Sequence, residues 1–202
     1  LPDTSANPYA GSELPFRSVI NGNAWLAFMI TATNLASAKA IVDRGVVSDG
    51  TFPTQSVFLT KSTDTARNVR YLLFDDASMD SLVLGRVALV QTNALSSANQ
   101  GPQLGSQTGS YAFGMPGGLF VPGAMADNLT SYGGLIFEAS GHTGVTNFLT
   151  AGATASYGTI VEPCNWLQKF PVPHTYFYQA RGFPIAKCYY QSLANPFQGI
   201  LV

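Results

Sequence analysis

Apolar runs alternate with segments of helical period along most of the chain. AWLAFMITAT (Ala24–Thr33) is apolar almost throughout, as in a strand covered on both faces. Asn34 follows where a helix cap belongs. Leu35, Ala38 and Val42 then recur at helical spacing, up to a terminating glycine at Gly45. SVFLT (Ser56–Thr60) predicts a short strand. Ser62–Ala77 opens with Ser/Thr/Asp capping chemistry and predicts a helix, and RVALVQT (Arg86–Thr92) predicts a further strand. Asn93–Thr108 is rich in Gly, Ser and Gln, has no apolar period and reads as a loop. GSYAFGM (Gly109–Met115) predicts a strand, Pro122–Tyr132 a helix with proline at its first position, and Gly134–Ser140 a short strand. After these come a helix over Gly144–Gly152, a strand over Ala153–Val161, helices over His174–Gly182 and Phe183–Ala194, and a final edge in FQGILV.

This alternation predicts an α/β fold with a mostly parallel sheet and helices on both faces. Residues 1–20, rich in Pro, Ser and Asn, read as an extended arm, and 21–202 as a single domain. In such sheets ligands sit beyond the carboxyl ends of strands. The loops after Thr92, Met115, Ala139 and Val161 are therefore the expected site.

Composition narrows the function. Only 10% of the 202 residues are Asp, Glu, Lys or Arg, against roughly 25% in an ordinary soluble domain, and the net charge is −1. A nucleic-acid surface would need a clustered basic excess. Disorder would need low hydrophobicity and high charge, whereas 46% of this chain is apolar. A nearly neutral surface suits an exported protein or one covered by a partner, and it offers little repulsion against self-association. Ala24–Ile30, the densest apolar run, is far shorter than the roughly 20 residues a membrane-spanning helix needs. The opening LPDTSANPYAGSELPF, with no initiator Met, reads as a processed end or the interior of a longer precursor.

The chemistry concentrates in ASYGTIVEPCNWLQKFPVPH (Ala155–His174). Cys164 is the candidate nucleophile and His142 the candidate base, each on a loop following a predicted strand, with Glu162 or Asn165 available to orient the imidazole. The competing reading is a rigid corner stiffened by Pro163 and Pro171, with Trp166 and Phe170 buried and Lys169 held by a carboxylate or backbone carbonyls. Trp166, Gln168, Lys169 and Phe170 are also the candidate binding residues, as part of an aromatic platform for a carbohydrate or a partner. The alternative is that the rings pack the last helices. Cys164 and Cys188 either form one disulfide, closing a loop of about 25 residues worth roughly 3 kcal/mol, or remain two buried thiols. His142 and His174 are the chain's two histidines, and neither metal-binding spacing nor a phosphate-loop pattern is present. No metal or cofactor is expected.

The segments AKAIVDRGVVSDGTFP, KSTDTARNVR, FVPGAMADNLTSYGG and TAGATASYGTIVEPCNWLQKFPVP, with a weaker match through IAKCYYQSLANPFQGILV, resemble an uncharacterised family of exported bacterial proteins. The resemblance covers most of Ala38–Pro173. It implies a further α/β half before this region, whose strands would complete the sheet, and an architecture similar to the caspase–gingipain class of cysteine peptidases or to flavodoxin. The peptidase residues do not carry over. Met115–Gly117 stands where a His-Gly would be wanted, and Ser140–Gly141 where the nucleophile would be. His142 stands where relatives are expected to have Gln, and Cys188 where they are expected to have a small residue. Two readings follow. One is a secreted, non-catalytic structural or binding component of an extracellular or cell-envelope assembly, with a protein partner, a second copy or its own precursor's first half. The other is a cysteine hydrolase using Cys164.

Overall fold

Strands β1 (Val57–Thr60), β2 (Leu89–Thr92), β3 (Gln103–Thr108) and β4 (Phe120–Asn128) form an all-parallel sheet in the order β2-β1-β3-β4. The computed structural model describes residues 6–19, 25–93 and 101–202, and it shows the α/β class with a parallel sheet. Val57 and Leu59 share one sheet face with Gly105, Gln107, Met125 and Asp127 through the pairing register. That face packs on Tyr176, Phe74, Tyr189 and Phe170, the main core. Ala124 and Ala126 point the other way, into a second cluster with Phe148 and Ala151.

The helices follow most of their local signals, although α2 runs through Gly45, the expected terminator, to Ser48. Helix α1 (Phe16–Val19) is a single turn, and α2 (Leu35–Ser48) is capped by Asn34, whose side chain accepts from the Ser37 amide at 2.9 Å. A 3-10 turn (Asn68–Leu73) runs into α3 (Phe74–Leu84), ended by Gly85 in the left-handed region. Helices α4 (Val145–Thr150), α5 (His174–Ala180) and α6 (Ile185–Ser192) lie where helical spacing predicts them. Residues 6–16 run across α6: the Asn7 amide donates to the carbonyls of Tyr190 and Leu193, the Gly11 amide donates to Gln191 O at 2.8 Å, and Glu13 pairs with Arg181.

Five expectations fail. AWLAFMITAT is not a strand over its described residues, 25–33. Its recorded link to a strand is one bond, Met29 N–H to Leu201 O at 2.9 Å, and Trp25, Phe28 and Ile30 are exposed. The expected loop Asn93–Thr108 instead contains β3, paired on both sides. Residues 94–100 lie outside the described residues. GSYAFGM is the loop that leaves β3. Pro122–Tyr132, expected as a helix, contributes most of β4. Pro122 and Gly123 (φ +89°) sit where the β3–β4 register shifts, a position at which a residue without an N–H is tolerated. Gly134–Ser140 is irregular. The Ala153–Val161 segment gives β5 (Tyr157–Thr159), which pairs antiparallel with β6 (Gly199–Leu201) and touches the main sheet through a parallel bridge from Ala155 to Met125.

Candidate functional site

In the order β2-β1-β3-β4 the chain moves to opposite sides of the sheet from β1 and from β3, so the crevice between their carboxyl ends is the switch point. The loops after these two strands are locked together. The Ser62 hydroxyl donates to Gly109 O, and the Ser62 amide donates to the Asn68 side chain at 3.1 Å. Asp64 accepts from the Tyr111 amide at 2.9 Å and from the Arg67 guanidinium at 3.0 Å. Arg67 then lies over the Tyr111 ring, 5.4 Å from its centroid. Gly109 permits this approach, since a Cβ there would overlap the Arg67 carbonyl.

His142 completes the cluster from the loop after β4. Its ring stands edge-on to Tyr111 (4.5 Å) and Tyr132 (5.6 Å), and its Nδ1 is hydrogen-bonded to the Thr130 hydroxyl. Burial lowers its pKa below the ordinary histidine value. Arg67 lowers it further and Glu162 opposes the shift, so the imidazole is neutral at pH 7. A cleft of about 390 Å³ opens beside it, bordered by Glu138, Ser140, Gly141 and Thr33. The cluster can offer hydrogen bonds, one guanidinium and aromatic edges to a ligand. Among the described residues no group of three or more His, Cys, Asp or Glu could hold a metal ion.

Cys164 makes no hydrogen bond to this imidazole. It is a free, exposed thiol in a tight turn, where Cys164 and Asn165 both take left-handed backbone (φ 54° and 56°), and its amide donates to Glu162 Oε1 at 2.9 Å. No histidine contacts it among the described residues. The expected burial or bridging of Cys164 is therefore corrected: Cys188 is the buried thiol, and both are free. The turn also turns Trp166 outward, so it is 44% exposed rather than buried. Gln168 is exposed, with its carbonyl accepting from the Asn195 amide at 2.7 Å.

Lys169 and Phe170 go inward on the following 3-10 turn (Leu167–Lys169). Lys169 Nζ donates to Asn195 Oδ1 at 3.0 Å and Phe197 O at 3.4 Å, and Phe170 packs edge-on to Tyr157. These two residues build a corner and are closed to a ligand. The Pro171 carbonyl then accepts from Arg70 (3.0 Å) and Gln107 (3.3 Å). His174 pairs with Asp80 on the surface at 2.7 Å.

Asp64, Arg67 and Tyr111 escape the sequence reading because β3 ends at Thr108, seven residues before the expected strand end at Met115. Their one signal in the sequence is the capping chemistry of Ser62–Asp64, which equally marks a helix start. Comparison with protein-family models, with curated proteins and with solved structures finds no match to this chain.

Proposed function

We propose that this chain is a secreted, non-catalytic binding or structural component of an extracellular or cell-envelope assembly, in line with the exported family it resembles. One observation carries the reading: large apolar side chains stand open on the surface, with Trp25 and Leu35 both 76% exposed and Phe28, Ile30, Val46 and Val47 open as well. Soluble monomers seldom leave patches above a few hundred Å². The Cys164 thiol makes no hydrogen bond to His142, whose Nδ1 is engaged by the Thr130 hydroxyl, and the hydrogen-bonding groups, guanidinium and aromatic edges of this cluster favour binding. The test is fractionation of producing cells with native sizing. The chain is expected outside the cytoplasm in a species larger than a monomer. A cytoplasmic monomer would overturn the reading.

One observation favours the cysteine-hydrolase reading: Cys164 is an accessible thiol on the loop beyond β5. That reading requires alkylation of Cys164 to abolish turnover on some ester or peptide. Full turnover by the C164A protein would end it.

A further inference from the structure

Helix α2 has two unlike faces. Ser37, Ile41, Arg44 and Ser48 form the inner one. Ile41 is buried with Val145 and Leu149, and the Arg44 guanidinium donates to the carbonyls of Ala153 (2.8 Å) and Leu149 (3.3 Å). Leu35, Lys39, Val42 and Val46 fall on the opposite stripe at 4-3-4 spacing, with Asp43 and Val47 on its flank. This outer face is open: Val46 is 71% exposed and Val47 64%. Phe28 and Ile30 extend it, bordering with Val42 and Val46 an apolar groove of about 410 Å³. Neither Lys39 nor Asp43 makes an ion pair among the described residues.

We propose that this outer face of α2 is the contact of a symmetric dimer, occupied by the α2 of a second copy packed antiparallel across a two-fold axis at the level of Ile41. The proposal rests on the self-association part of the function reading and gives it a place. The pattern is self-complementary about that level. Lys39 lies two positions before Ile41 and Asp43 two after it; Leu35 lies six before and Val47 six after. An antiparallel partner therefore sets Lys39 against Asp43 of the second copy, twice by symmetry, and Leu35 against Val47. A parallel partner would set Lys39 against Lys39, which is repulsive. The charges thus select the antiparallel register, as a polar residue within an apolar seam does in coiled coils. The open apolar side chains of α2 and residues 28–30 amount to several hundred Å², of the order of the ~800 Å² each partner gives a standard interface.

Sedimentation velocity of the full chain over a wide concentration range tests this, with K39D and D43K as variants. Both positions are solvent-exposed, and unchanged circular dichroism checks the fold. The wild type is expected to dimerise with concentration. Each single variant sets like charges across the axis and is expected to weaken the dimer at least tenfold. Mixing the K39D and D43K proteins restores opposite charges at both contacts and is expected to regain a heterodimer. A dimer indifferent to both variants overturns the α2 contact while leaving self-association standing. A monomer at every concentration overturns the proposed dimer, and an exported complex with another protein would then preserve the broader function reading.

Discussion

The guanidinium of Arg70 and the carboxylate of Asp127 pair inside the molecule, with side-chain exposures of 2% and 1%. Arg70 also donates to Thr108 O at 2.7 Å and Pro171 O at 3.0 Å, and Gln107 donates to Asp127 Oδ2 at 3.0 Å. One pair therefore ties the 3-10 turn after β1 to the ends of β3 and β4 and to the proline corner. The corner is rigid because its carbonyl is part of a buried polar network, in addition to the restriction its prolines impose.

Removing one partner leaves the other charge buried alone, which costs about 3–5 kcal/mol. R70M is expected to lose that much in urea unfolding at pH 7. Burial raises the Asp127 pKa, with Arg70 and Gln107 opposing the rise. Without Arg70 the opposition weakens and the native state takes up a proton more readily than the unfolded chain, whose Asp pKa is about 3.9. Stability tied to a raised native pKa is complete below the unfolded value and lost as pH rises through the native one. The R70M deficit should therefore shrink as pH falls from 7 toward 4. A deficit constant with pH would mean that Asp127 stays ionised without its partner.

What the sequence made legible depended on whether a segment announces itself through apolar period. Helices α2, α5 and α6 did, through Asn34, the Leu35/Ala38/Val42 spacing and the Pro-bounded aromatic runs. Strand β3 did not, because among its six residues, QLGSQT, Leu104 alone has a large apolar side chain. It is held by backbone pairing on both sides, and its buried Gln107 is satisfied by Asp127 and Pro171, partners distant in sequence. Missing β3 moved the predicted strand end from Thr108 to Met115 and hid the Asp64–Arg67–Tyr111 cluster. AWLAFMITAT failed in the opposite sense: it has apolar character in full, yet its described part lacks the pairing and cover that make a strand.

Glycine substitutions should separate packing from propensity. A Cβ at Gly105 would overlap the Tyr176 ring, which is anchored by a 2.8 Å bond from its hydroxyl to Met125 O. G105A is expected to cost about 1–3 kcal/mol or more through overpacking. Gly45 lies within α2 with nothing within 4 Å of a built Cβ. G45A is expected to stabilise by about 0.5–1 kcal/mol. Thermal or urea melts of the two variants should move in opposite directions.

The two thiols should differ sharply in reactivity. Burial pushes the Cys188 thiol up to about 12, whereas Cys164 stands exposed in its turn. A small thiol reagent is expected to modify one cysteine in the native protein and two in denaturant, with C164S abolishing the native reaction. Reductant is expected to leave the intact mass unchanged, because both cysteines are free. Two native thiols reacting at similar rates would mean that α6 opens on the labelling timescale.

His142 reports on the switch-point cluster directly. Its pKa is lowered first by burial among Tyr111, Tyr132 and Thr130, then by the Arg67 charge, with Glu162 pulling the other way. An NMR titration is expected to place its midpoint below the ordinary value of about 6.5. R67Q removes a like charge and should raise that midpoint, while E162Q removes an attraction and should lower it. The stability consequence follows from the sign. With the native pKa below the unfolded one, the unfolded chain binds the proton first as pH falls. The contribution of neutral His142 is therefore complete above about pH 6.5 and declines as pH drops toward the native midpoint. Acidification through this range should loosen the contact between the loops after β3 and β4, and the protection factors of the Tyr111, Phe113 and Thr143 amides, taken against the intrinsic rate at each pH, should fall. A midpoint at or above 6.5 that R67Q leaves in place would show the imidazole free in solvent and the three loops not assembled around it.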